Sequence, residues 1–164
     1  MLERRGRAPL FAAFLRFAAL AGEEIPDSIA EGLALGSALW DEETYDPWTA
    51  AEFEYAKGLE DPEVVLTEMS ALATNAGAAL DDHLAALRAL PEPEHEPFAE
   101  VLQDLIEGYE TISKSYAEAA IAWDPLDEQL LTTAGELRSE GFPAAGKAEL
   151  EFQQLLLAAI AARE

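Results

Sequence analysis

Two histidines and many carboxylates are the side chains with chemistry to offer. His83 stands between Leu80 and Leu87 on an otherwise apolar helical seam, next to Asp81 and Asp82. A histidine there can serve as a general base or ligand contact in a bundle cavity, or as a core residue bonded to one carbonyl, tyrosine or carboxylate. Burial would lower its pKa and a carboxylate neighbour would raise it. Tyr109 falls within about a turn of His83 if residues 62–123 form a helical hairpin, so His83 and Tyr109 make the candidate polar core site. His95 follows Glu92 at Glu-x-x-His spacing, but Pro93 intervenes and the stretch reads as a turn.

Other chemistries lack their residues. A di-iron carboxylate bundle needs inward glutamates and two Glu-x-x-His motifs on facing helices, and His83 has Leu80 at the required position. HExxH is absent, and a zinc site would be short of nitrogen ligands. There is no cysteine, which removes disulfides, thiolate catalysis and Cys-ligated metal. No GxSxG, glycine-rich phosphate loop or EF-hand spacing occurs, and none of the six serines has a nucleophile motif around it. Adjacent acids such as Glu23-Glu24, Glu42-Glu43 and Asp81-Asp82 carry little information in so acidic a chain. The sequence therefore predicts no catalytic residue, no cofactor and no metal site.

The elements that would position His83 and Tyr109 are helical. Half of the 164 residues are hydrophobic, and they recur at spacings of three and four. Helices are predicted near 8–21, 27–40, 47–58, 62–90, 97–123, 125–139 and 144–162. Asp46-Pro47, Asp61-Pro62 and Asp124-Pro125 read as acidic N-caps followed by proline at the first helical position. Ser28 and Glu31 have capping-box spacing. Gly58 and Gly141 read as helix ends, and Pro143 as the start of the last helix.

Along 62–90 the seam is Val65, Met69, Leu72, Ala76, Leu80, His83, Leu87 and Leu90. Along 97–123 it is Phe98, Leu102, Leu105, Tyr109, Ile112, Tyr116, Ala119 and Trp123. The segment Pro91–Pro97, with three prolines, stops one helix and starts the next. Pairing outward from it sets Tyr116 near Leu72 and Ala73, and Ile112 near Ala76 and Gly77. The fold class is all-α: an up-down antiparallel bundle of four main helices over about 62–162, with three N-terminal helices capping or flanking it, in a single domain spanning 1–164. Gly32 and Gly36, as GxxxG, mark a close approach between helices.

Two apolar groups suggest contact surfaces. Residues 8–21 are apolar nearly all round and include Phe11, Phe14 and Phe17. Arg16 interrupts the run and it is too short to span a membrane, so a buried helix or a self-association face is expected rather than a signal segment or a surface-lying membrane helix. Trp40, Tyr45, Trp48, Phe53 and Tyr55 crowd a second region beside the acidic loop Asp41–Thr44. Such aromatics form core, or anchor a partner.

The charge bears on partners. The chain carries 33 Asp+Glu against 10 Lys+Arg, a net −23. Residues 1–22 hold four arginines against Glu3, leaving −26 for the remainder. Direct nucleic-acid or anionic-lipid binding is disfavoured. Three readings remain: solubility in high salt, docking of a basic protein, and imitation of DNA. The sequence supports a non-enzymatic, cytoplasmic protein acting through protein–protein contact with a partner or with itself as a homo-oligomer. An acidic DNA mimic, and a small-ligand binder or enzyme using His83, are the alternatives.

Overall fold

A computed structural model describes residues 25–162, and these form five helices: α1 (Asp27–Leu39), α2 (Tyr45–Glu60), α3 (Leu66–Arg88), α4 (Glu96–Ala122) and α5 (Glu128–Ala161). No strand occurs among them. The helix expected at 8–21, with Phe11, Phe14 and Phe17, lies outside the described residues.

The seams are where periodicity put them. Met69, Ala76, Leu80, His83 and Leu87 of α3 are buried, as are Phe98, Leu102, Leu105, Tyr109, Ile112, Tyr116 and Ala119 of α4. Each fully buried leucine or phenylalanine is worth about 1.5–3 kcal/mol. Val65 is the exception on the α3 seam, being exposed just ahead of the helix. The hairpin register is about one turn off the expected pairing. Tyr116 packs on Gly77, whose built Cβ would lie 3.2 Å from that of Tyr116, and Ile112 packs on α5 instead. A bulky ring does face a small residue, but the helices are offset relative to the turn.

The largest departure concerns the C-terminal half. Two helices were expected at 125–139 and 144–162, yet α5 is continuous, with Pro143 inside it. Proline in a helix interior loses one hydrogen bond and costs about 3 kcal/mol. Tertiary packing offsets that cost. A Cβ on Gly141 would stand 2.9 Å from the backbone nitrogen of Ile112, and one on Gly108 would stand 2.8 Å from that of Ala145. The backbones of α4 and α5 thus meet directly on both sides of Pro143, and breaking the helix would forfeit that contact. Between α3 and α4, Ser70 donates to the Ala120 carbonyl and Arg88 pairs with Glu110; between α2 and α3, Gly58 lies against Met69 and Leu72. The first helix rests on the start of α4 and the far half of α5, where Gly32 meets Phe98 and Leu156 and Gly36 meets Phe152.

The expected acidic caps are displaced. The α2 helix starts at Tyr45, one residue before Asp46. Asp61 ends α2 as its C-cap and accepts from the Glu63 amide at 2.9 Å. Asp127 rather than Asp124 caps α5, accepting from the Gln129 and Leu130 amides, each at 3.0 Å. Ser28 lies inside α1, and Glu31 closes no capping box. Its carboxylate instead accepts the amides of Glu94 at 2.9 Å and His95 at 3.1 Å, tying α1 to the proline-rich turn.

Candidate functional site

His83 is fully buried in a cage of rings. Trp48 lies nearly parallel to it at 6.1 Å between centroids, and Tyr45 and Tyr109 approach edge-on, each at 5.4 Å. The Thr44 hydroxyl meets Nδ1 at 3.0 Å, while Nε2 has no hydrogen-bond partner among the described residues. Burial drives the His83 pKa down to about 4 against a weak upward pull from Asp41. The ring is therefore neutral at pH 7. Tyr109 donates to Glu149 at 2.7 Å.

A second polar chain runs beside this cage. The Trp48 indole N–H donates to the Tyr116 hydroxyl at 3.3 Å, and Tyr116 in turn donates to Glu52. Glu52 also receives both terminal nitrogens of Arg138, one of them at 3.0 Å. Burial raises the Tyr116 pKa and the Glu52 charge raises it further. Burial alone would lower the Arg138 pKa, but the Glu52 bonds and charge outweigh it, and the guanidinium is held more firmly charged. Its central carbon stands over the rings of Phe142, 4.7 Å from the centroid, and Tyr55, 5.5 Å from it.

Arg138 also forms one wall of a cavity of about 240 Å³, shared with Tyr55, Leu59, Trp123, Leu131 and Gly135 among others. This cavity opens at the end of the molecule where α2 finishes, α3 starts and α4 hands over to α5. Leu59, Val65, Leu66, Ile121 and Leu126 all reach solvent at that end, between 40% and 65% exposed. Glu60, Asp61, Glu63, Asp124, Asp127 and Glu128, their near neighbours along the chain, are exposed as well. A second cleft, of about 310 Å³ between α4 and α5, is lined by Asp104, Glu107, Glu140 and Glu151 with Lys147. Among the described residues no group of three or more His, Asp or Glu side chains is placed to hold a metal ion. Nor is any described helix long and apolar enough to cross a membrane.

The sequence pairing of His83 with Tyr109 is met in space, but His83 lines neither cleft. Trp40, Tyr45 and Trp48, for which the sequence left both core and partner anchor open, are buried. Amphipathic spacing in α2 turns Tyr45, Trp48 and Tyr55 inward and leaves Phe53 outside. Glu52, Arg138 and Thr44 escaped notice in the sequence. Glu52 and Arg138 are 86 positions apart, and no local pattern distinguishes that glutamate from the chain's many others. The one available signal was Arg138 itself, a rare cation within an apolar stripe. No protein-family model, curated protein or solved structure matches the chain.

Proposed function

We propose that this protein acts without catalysis, by docking a basic, amphipathic segment of a partner protein against its α2–α5 end. The observation that carries the reading is the exposure of Leu59, Val65, Leu66, Ile121 and Leu126 where α2 ends, α3 begins and α4 passes to α5, in segments that also carry exposed carboxylates. Apolar side chains scattered singly are ordinary, whereas several exposed at one end among carboxylates have the composition of an interface. Those carboxylates select the partner's charge. A second copy would bring another −23 to the same place, whereas a cationic helix would be steered in and held. The buried cage of His83 acts as core in this reading.

Imitation of DNA is less well supported. Exposed carboxylates stand on all five helices and on every connection between them. That spread suits solvation of a whole surface better than two rows along one face.

A synthetic Lys/Leu helical peptide tests the reading. In 0.15 M salt its methyl chemical-shift changes are expected to concentrate on Leu59, Val65, Leu66, Ile121 and Leu126. Ile121→Lys should weaken binding by about tenfold or more, a loss of 1.4 kcal/mol or greater. Ala89→Lys, at the opposite end, adds the same charge and should change it far less. Shifts spread evenly over the acidic faces, or equal effects of the two substitutions, would mean that the end face does not dock the peptide. Sedimentation of the protein alone as a dimer that Ile121→Lys dissociates would reassign that face to self-association.

A further inference from the structure

The cavity beside the end face adds a specificity to that reading, on which this inference rests. We infer that it is a socket for one aromatic side chain of the docked segment. Drug-sized ligands occupy roughly 300–1,000 Å³, so about 240 Å³ suits a single side chain better. Its walls favour a ring. Tyr55 and Trp123 offer aromatic surface, with the Trp123 indole N–H donating to the Tyr55 hydroxyl at 3.4 Å. The Arg138 guanidinium presents a flat cation whose charge Glu52 already holds. A ring can lie against a guanidinium, whereas the cavity lining holds no carboxylate to receive a lysine or arginine. The partner's cations would thus stay with the exposed carboxylates while its aromatic residue goes inside.

The sequence leaves the socket open at Gly135. A Cβ built there meets nothing within 4 Å, although alanine in its place would give a better helix. The glycine therefore serves no close packing within the described fold, and it lies on the cavity wall.

A Lys/Ala helical peptide with one central Phe, and its Phe→Ala counterpart, isolate this contact because Phe is the single bulky side chain. Wild-type protein should prefer the Phe peptide by about tenfold, the worth of one partly buried ring. Gly135→Leu fills the socket and should bind the two peptides within about twofold of each other. A Gly135→Leu protein that keeps the Phe preference overturns the inference. Nuclear Overhauser contacts between the peptide Phe ring and Leu131 methyls in wild-type protein test the same point without any substitution, and their absence also overturns it. So would such contacts made in the protein alone by Phe11, Phe14 or Phe17. Loss of Lys/Leu peptide binding in Ile121→Lys, together with an unchanged Phe preference in Gly135→Leu, would leave the end face standing and the socket refuted. No effect of Ile121→Lys on Lys/Leu peptide binding would refute both.

Discussion

His83 links burial to acid sensitivity. Its pKa in the folded protein is about 4, below the ordinary 6.5, because desolvation penalises the charged ring. The unfolded chain therefore takes up a proton at a pH where the folded one does not. This contribution to stability is fully present above pH 6.5 and is lost as pH falls through 4. Its size is on the order of 3 kcal/mol. Urea unfolding of wild type and His83→Gln between pH 7 and 4 should show the wild type losing stability more steeply, since the carboxylates titrate in both. Parallel curves would mean that the ring is hydrated or charged in the folded state. At pH 7 the substitution should shift stability by about 1–3 kcal/mol and leave peptide docking intact. The sequence disclosed that His83 would be inward and near Tyr109, since seam position depends only on periodicity. It did not disclose Thr44, because that contact depends on how the loop before α2 folds over α3.

The behaviour of α5 shows where local signals yield to packing. Gly141 and Pro143 are helix-ending residues by intrinsic preference, and a break between 139 and 144 is the natural reading. What overrides it is non-local: Gly108 and Ile112 sit on another helix, at the height that accepts bare backbone from α5. No property of residues 125–162 alone records this. Helix existence and the inward faces of α3 and α4 were legible because they follow from spacing along one chain segment. Hairpin register, the caps and the continuity of α5 were not, because they depend on competing partners. Glycines of α4 and α5 should accordingly differ in their tolerance of a methyl group. Gly108→Ala drives a Cβ to within 2.8 Å of the Ala145 nitrogen and should cost about 1–3 kcal/mol in urea unfolding. Gly135→Ala meets open space and should add about 0.5–1 kcal/mol. Equal effects would show that α4 and α5 do not approach so closely.

Across the whole molecule, repulsion among carboxylates is largely uncompensated. Among the described residues three ion pairs form: Arg88–Glu110, Arg138–Glu52 and Lys147–Glu151. Salt shortens the screening length from about 8 Å at 0.15 M to about 3 Å at 1 M. The thermal midpoint should therefore rise with NaCl by about 3–8 °C, corresponding to roughly 1–2 kcal/mol at this chain length. A midpoint insensitive to salt would mean that the acidic groups are far enough apart, or paired well enough, not to strain the fold. The overall charge was plain in the sequence, but the apolar end face was not. Leu59, Val65, Leu66, Ile121 and Leu126 are dispersed along the chain, and only the turns bring them to one place. The chain's three tryptophans are dispersed likewise, and the fold gives each a different neighbourhood. Trp40 leans on Phe152 where α1 meets α5, Trp48 lies along His83, and Trp123 walls the cavity. Their emission thus divides by region: one indole watches the seating of the first helix, one the imidazole's proton, and one the arrival of a guest at the open end.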